Sequence, residues 1–280
     1  MTEAQRIIKY LAIAFAVFLT VAIIGGILST VGVLGGIFLG GDRAEADATG
    51  ELKTYAVSSG ISRLQIRINA ADLTIKEGSA FSVESNLKNL TVEEKNGCLI
   101  LKDLTTIKLS GSNTYQDAVL TIYVPAGTVF DSITLETGAG RVSAGELLAE
   151  TVDIELGAGD AWIDTLVASK SADLEGGAGR ITISGGALHD LDLDMGVGQL
   201  NLTAALSGEC QMELGVGESN ITLLGSRADY ALDIEKGIGE VRVDGKPVSN
   251  FGSSGNGTAE VEIHGGIGAI YVEFKEQEKV

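Results

Sequence analysis

From Tyr10 to Gly41 the chain carries no charged side chain, and beyond residue 60 apolar and polar residues alternate in short, recurring stretches. The first pattern exceeds the ~20 apolar residues needed to cross a bilayer's hydrocarbon, so it predicts a membrane-spanning segment. The second has the period of two that places alternate side chains on opposite faces of a strand, so it predicts many short strands.

The strands repeat. Gly-x-Gly with apolar x occurs at Gly138-Ala139-Gly140, Gly157-Ala158-Gly159, Gly177-Ala178-Gly179, Gly196-Val197-Gly198, Gly215-Val216-Gly217, Gly237-Ile238-Gly239 and Gly266-Ile267-Gly268. The spacing is near-constant from Gly138 to Gly215, then widens slightly to Gly237 and further to Gly266. With each central residue as position zero, positions −6, −4, 0 and +5 are apolar in all seven units, and +3 in every unit but the one with Ser219. Leu64, Ile66, Ile68, Ala70, Leu73 and Ile75 fit the same register around Asn69-Ala70-Ala71, which makes eight units. The change of parity between 0 and +3 requires a corner if both strands of a unit face one core, and glycine supplies the backbone freedom for it.

Units that cannot bury an apolar face alone stack into a solenoid. The period is too short for a WD40 blade and lacks the Asn/Cys ladder of leucine-rich repeats, so the predicted fold is all-β, a parallel β-helix (β-solenoid) of about 19–20-residue rungs, preceded by one transmembrane helix. Between the first two units, Lys95-Asn96-Gly97-Cys98 predicts a hairpin, residues 102–117 a surface loop, and Ala118 to Val124 a strand closed by Pro125. The predicted organisation is a cytoplasmic tail over 1–9, the anchor over 10–41, a linker over 42–60, the repeat domain over 61–275 and a short tail over 276–280. Residues 244–258, which include Gly252-Ser253-Ser254-Gly255, read as a loop insertion in the last interval.

Charge sets the topology and narrows the chemistry. Arg6 and Lys9 precede the apolar run while Asp42, Arg43, Glu45 and Asp47 follow it, and this Lys/Arg bias puts the amino terminus in the cytoplasm and the repeat domain outside. Cleavage after Ala46, as in a signal peptide, is the competing reading, but such peptides have apolar regions of only ~7–15 residues. Residues 1–41 carry +1 (Arg6 and Lys9 against Glu3), so the net −18 leaves −19 on residues 42–280, which excludes nucleic acid as a partner. Two histidines and two cysteines leave no clustered His/Cys metal centre and no disulfide framework. Cys210 falls at an inward position, and Asn201 and Asn220 at equivalent outward ones, as an amide ladder would.

The most regular polar feature is acidic. Position −3 holds Glu136, Glu155, Glu175, Asp194, Glu213 and Glu235, then His264, and position −5 holds Asp153, Asp173, Asp192, Asp233 and Glu262. Stacking turns these into carboxylate columns, relieved by water and salt, by basic neighbours or by cations. A weak calcium site among Glu155, Glu175, Asp194, Glu213 and Glu235 is one expectation, since calcium takes several carboxylate oxygens. A solvated face that blocks lateral strand pairing is the other. Neither histidine lies in a nucleophile signature, and a uniform ladder distinguishes no carboxylate pair as catalytic.

The opening Ile66-Arg67-Ile68-Asn69-Ala70-Ala71-Asp72-Leu73-Thr74-Ile75-Lys76-Glu77-Gly78, the segment Leu120-Thr121-Ile122-Tyr123-Val124-Pro125-Ala126-Gly127-Thr128 and the Gly-Ala-Gly ladder resemble the "putative adhesin" β-strand-repeat family. That is a domain of unknown function common in Gram-positive bacteria, and the resemblance covers roughly residues 60–275. The anchor, the repeat register and the absence of a catalytic constellation point to a membrane-anchored, non-catalytic binding, adhesion or structural module of the cell envelope, with an envelope protein or glycan as partner, and the resemblance adds a link to envelope stress. A surface polysaccharide-processing enzyme on the same scaffold is the alternative. An Arg or Lys that breaks the repeat and faces two acids in a groove would favour it.

Overall fold

The computed structural model describes residues 49–103, 117–235, 237–248, 255 and 257–276. The predicted anchor over 10–41 and most of the predicted loop over 102–117 lie outside the described residues. Among the described residues, no helix is long and apolar enough to cross a membrane.

The described chain is mostly strand and built from repeats. Its strands are β1 (Thr49–Ala56), β2 (Arg63–Ala70), β3 (Asp72–Gly78), β4 (Ser82–Leu87), β5 (Thr91–Lys95), β6 (Cys98–Asp103), β7 (Val119–Pro125), β8 (Val129–Ile183), β9 (Gly186–His189), β10 (Leu191–Ser207), β11 (Glu209–Leu224), β12 (Tyr230–Glu235), β13 (Ile238–Val243), β14 (Lys246–Pro247) and β15 (Ala259–Lys275). Extended backbone runs on through the corners, which is why β8 covers 55 residues.

Neighbouring units pair in parallel and in one register. Leu193 sits beside Leu174 and Met212, and the central residue Val197 beside Ala178 and Val216. The first unit obeys the same register, with Leu64 beside Ile133 and Ala70 beside Ala139. Positions −6, −4, +3 and +5 are buried in the seven glycine units, including Ser219, the polar member. In the unit around Val197 these are Leu191, Leu193, Leu200 and Leu202. Burying side chains of this size contributes about 1.5–3 kcal/mol each.

The central residue does not join that core. Val197 is 56% and Val216 44% exposed, and Ala158 and Ala178 are exposed too. Parity alone would turn position 0 inward. The corner takes up the extra residue, so x points out and forms an apolar ridge along the stack. Each flanking glycine has its own reason to be glycine. A Cβ on Gly196 would fall inside 3.0 Å of the Gly177 carbonyl oxygen in the rung beside it, and one on Gly198 would meet Gly179 in the same way. Gly198 also has φ +149, where side-chain-bearing residues are strained.

A second parity change follows in the early units. Ala144 gives way to Leu147 and Ile163 to Leu166 as the next buried residue, so these units carry a third inward segment where two strands per unit were expected. β9 belongs to this side, pairing with β8 at Leu166–Ala168 and with β10 at Ala205–Ser207.

The order of the units departs from the order of the sequence. β15 pairs with β11 on one side and with both β12 and β13 on the other. The last unit is therefore inserted between its two predecessors. The slightly lengthened interval from Gly215 to Gly237 steps over this slot, through the 3₁₀ turn Arg227–Asp229 capped by Ser226. The longest interval, from Gly237 to Gly266, provides the chain that returns to it.

At the other end, β6 pairs with β2, and β7 with β3. β5 and β6 form the predicted Asn-Gly hairpin, with Asn96 at φ 51 and Gly97 at φ 75. The stretch predicted as a linker over 42–60 contains β1, antiparallel to β4. Only Tyr55 and Val57 in that neighbourhood pack on the core, so β1 is an edge strand with too few apolar positions to show a period.

Candidate functional site

Two outward faces flank the glycine corner. The first holds the acidic columns at −5 and −3. In spatial order the −3 column reads Arg67, Glu136, Glu155, Glu175, Asp194, Glu213, His264, Glu235, because β15 intervenes before β12. The predicted set Glu155, Glu175, Asp194, Glu213 and Glu235 is thus not continuous, since His264 separates Glu213 from Glu235. Among the described residues, no group of three or more His, Cys, Asp or Glu side chains is arranged to hold a metal ion.

The ladder is compensated by Arg67 toward one end and by His264 between Glu213 and Glu235, and is bare in its middle. Arg67 binds Glu136 through both Nε, at 2.7 Å, and Nη2. His264 Nε2 lies 2.8 Å from Glu262 Oε1, and its Nδ1 3.8 Å from Glu235 Oε2. The hydrogen bond to Glu262 raises the imidazole pKa. Desolvation opposes it, and the charges of Glu262, Glu235 and Glu213 reinforce it. In the middle, desolvation against neighbouring rungs raises the carboxyl pKa of Asp173, followed by the charges of Asp153 and Asp192. Glu175 and Asp194 are raised in the same way, by desolvation first and then by like charges, those of Glu155, Asp173, Asp194 and Asp153 on Glu175 and those of Glu213, Asp192 and Asp173 on Asp194. This face repels itself, which suits a solvated surface that resists pairing with other strands.

Arg67 does face two acids, lining an open groove with Glu136 and Glu155. Its guanidinium is already committed to Glu136, both side chains are partly exposed, and Lys102 of β6 stands beside it on the other side. The other charged exception, His264, sits among three carboxylates beside solvent. Neither offers a nucleophile with a positioned base.

The second outward face follows the corner. Its +4 column reads Thr74, Ser143, Trp162, Thr182, Asn201, Asn220, Tyr271, Arg242 in spatial order. The expected amide ladder is here: Asn220 Nδ2 donates to Asn201 Oδ1 at 3.1 Å, and Asn201 Nδ2 to Thr182 Oγ1 at 3.3 Å. Beside it run Arg180, Gln199 and Glu218, with Arg180 Nε donating to Gln199 Oε1 at 2.9 Å, and on the far side Thr203 next to Thr222. Trp162 is 54% exposed, and its Nε1 donates to Asp164 Oδ1 at 2.9 Å. Sequence reading missed Trp162 and Tyr271 as members of this column, although both stand at +4. It also missed the Asp244-Gly245 turn between β13 and β14, which the Asp-Gly pair signals.

Cys98 and Cys210 are both free thiols, and Cys210 is buried as its inward position predicts.

Several solved structures are similar to this chain at low identity. A "putative adhesin" from Bacteroides fragilis is 15% identical, over 79% of this chain and 96% of its own, with a TM-score of 0.44. A "putative cell adhesion protein" from Clostridium sporogenes is 18% identical, over 80% and 99%, with a TM-score of 0.31. A "putative adhesin" from Parabacteroides distasonis is 13% identical, over 81% and 98%, with a TM-score of 0.39. No curated protein matches. The glycine-cornered units from the first rung to His264 are the part of the chain that a family model recognises, Toastrack DUF4097 over residues 61–264, and the chain belongs to that family.

Proposed function

We propose that the chain is a membrane-anchored, extracytoplasmic parallel β-solenoid that acts as a non-catalytic binding module of the cell envelope. The observation that carries this reading is the run of in-register rungs presenting long, regular polar faces, with no catalytic constellation among the described residues. Rigid repeats that expose one type of side chain per rung suit recognition of an extended partner. The role is of the kind that the names "putative adhesin" and "putative cell adhesion protein" give to the similar structures. The uncharged run over 10–41 and the basic residues before it support a single-pass anchor with the rungs outside the cell.

Two measurements test the proposal. Protease added to protoplasts is expected to remove the repeat domain and leave a short membrane-bound stub, and protection in sealed cells would refute the orientation. The full chain in detergent micelles is expected to co-sediment with detergent-washed, lipid-free envelope material. Its failure to do so would refute the binding role.

A further inference from the structure

The two outward faces differ in chemistry although they share a scaffold. One is a self-repelling carboxylate field. The other, centred on Thr182, Asn201 and Asn220, carries hydroxyls and amides on a chain whose net charge is −18. An anionic polymer would be repelled by the molecule as a whole, and a cationic one would be drawn to the carboxylates instead. What the second face offers is a central column of hydroxyls and amides with aromatic side chains toward its two ends, flanked by charges of both signs, Arg180 and Glu218 beside the column and Arg242 at its end, in place of a field of one sign.

Trp162 is the sole tryptophan of the chain. Large aromatics are usually withdrawn from solvent, and this one stands open. Its neighbours along the column are small, Ser143 on one side and Thr182 on the other, so nothing bulky covers the ring from those positions. The hydrogen bond to Asp164 fixes the indole in place. Thr182 is only 9% exposed although it points outward, so the side chains around it close over it and make a continuous surface. Asn201 donates through one amide hydrogen within the ladder and keeps the other, while Asn220 spends its two donors on Asn201 and Glu218 and keeps its carbonyl oxygen. Both are half-buried, held by the ladder and still open to solvent on one side. At the far end Tyr271, Arg242, Thr222 and Gly245 line an open pocket of about 250 Å³.

From Trp162 to Tyr271 is four rung spacings, about 19 Å at ~4.8 Å between paired strands. That spacing is close to the advance per ring of a β-1,4-linked pyranose chain, so each rung can meet one sugar. An aromatic face for the apolar side of a ring, and one amide or hydroxyl per rung for its hydroxyls, is what such a strand requires. We propose that this face binds an uncharged, linear, hydroxyl-rich polysaccharide strand laid along the stack from Trp162 toward Tyr271. The inference rests on the reading of the chain as an envelope-binding module and names the class of its ligand.

The single tryptophan makes the test direct. The full chain in detergent micelles is titrated with chitohexaose, an uncharged β-1,4 hexamer, while Trp162 emission is followed, with polygalacturonate as the anionic comparison. Saturable quenching or a blue shift with chitohexaose alone is expected. Calorimetry is expected to show binding weakened about tenfold or more by Trp162→Ala and retained by Trp162→Phe, since one aromatic anchor commonly dominates an interface. Asn201→Ala with Asn220→Ala leaves the fluorophore in place and is expected to abolish the emission change; a melting curve matching the parent shows that the fold is kept.

An unaltered emission up to millimolar chitohexaose overturns the inference, as does equal binding by Trp162→Ala. A response to neutral phosphatidylcholine vesicles and not to the glycan overturns it in favour of a lipid surface. Co-sedimentation of the detergent-solubilised chain with detergent-washed, lipid-free envelope material separates the two levels. If it persists while chitohexaose fails, the binding module stands and only the ligand class is wrong; if both fail, both are wrong.

Discussion

Gly198→Ala combines two penalties that other glycines of the same chain carry singly. At Gly198 an added Cβ meets the Gly179 carbonyl well inside 3.0 Å, and φ is +149. At Gly196 the collision with Gly177 is present without a positive φ, and at Gly127 φ is +66 with nothing within 4 Å. Gly145 has neither, with nothing within 4 Å. Backbone strain at a glycine-only φ costs about 1–3 kcal/mol, less for the common left-handed region. Forcing a methyl against a carbonyl that is itself held in the stack costs about 1–3 kcal/mol. Gly198→Ala is therefore expected to lose about 2–6 kcal/mol, Gly196→Ala about 1–3, Gly127→Ala about 1, and Gly145→Ala no more than about 0.5. Because a domain's whole stability is about 5–15 kcal/mol, the first of these leaves a marginal protein. Urea unfolding followed by circular dichroism reads the series as shifts in midpoint, with the slope reporting any change in the surface exposed. If Gly198→Ala and Gly145→Ala shift the midpoint equally, stacking of the corner glycines is not what selects them.

Replacing Glu175 and Glu213 together by Gln is expected to leave the melting temperature unchanged or slightly higher, by the equivalent of about 0.2–1 kcal/mol, with the difference shrinking in high salt. Asp173, Glu175 and Asp194 have pKa values raised above the ordinary 3.8 for Asp and 4.5 for Glu. Their contribution is therefore most favourable below those ordinary values and is lost as the pH rises through the raised ones, so the gap between variant and parent should close on acidification. Millimolar calcium is expected to do no more than sodium chloride at matched ionic strength, and a calcium-specific rise in melting temperature abolished by the double substitution would contradict this. His264 has the opposite charge and the same sign of linkage: its pKa is raised above 6.5, so its stabilising contribution is complete below 6.5 and lost as the pH rises through the raised value. His264→Gln should flatten the melting-temperature profile there, and superimposable profiles would refute the interaction with Glu262.

The core was legible because it depends on a local rule. Strict alternation at Leu191, Leu193, Leu200 and Leu202 says which side chains point inward, whatever the neighbours are. Each unit's register followed from the glycines for the same reason. The order of the rungs was not legible, because units that share a pattern are interchangeable partners as far as pattern goes. The only trace of the inserted rung was the pair of lengthened intervals, Gly215 to Gly237 and Gly237 to Gly266. Val197 and Val216 misled by their apolarity, since alternation cannot say where a corner absorbs the extra residue. Of the two outward faces, the acidic one was visible as repeated letters. The other was not: Trp162, Asn201 and Tyr271 have nothing in common as letters, and become one surface only when their strands pair. The edge strand β1 left no period because one side of it has no core to face.

The inserted rung has a consequence for the time course of folding. During synthesis β11 ends at Leu224 with its edge open, and its final neighbour is complete only at Lys275. At ~5–20 residues per second that edge waits roughly 3–10 s. The next unit to emerge, β12 with β13, carries the same glycine corner and the same inward positions, so it is a ready decoy for the vacant place. Native order then demands that the decoy be kept away or displaced when β15 arrives. A chain ending before Ala259 would fold around the decoy, and a full-length chain would show a slow refolding phase that such a truncated chain lacks. The repeat that makes each rung stable thus makes its last step a choice between near-identical partners.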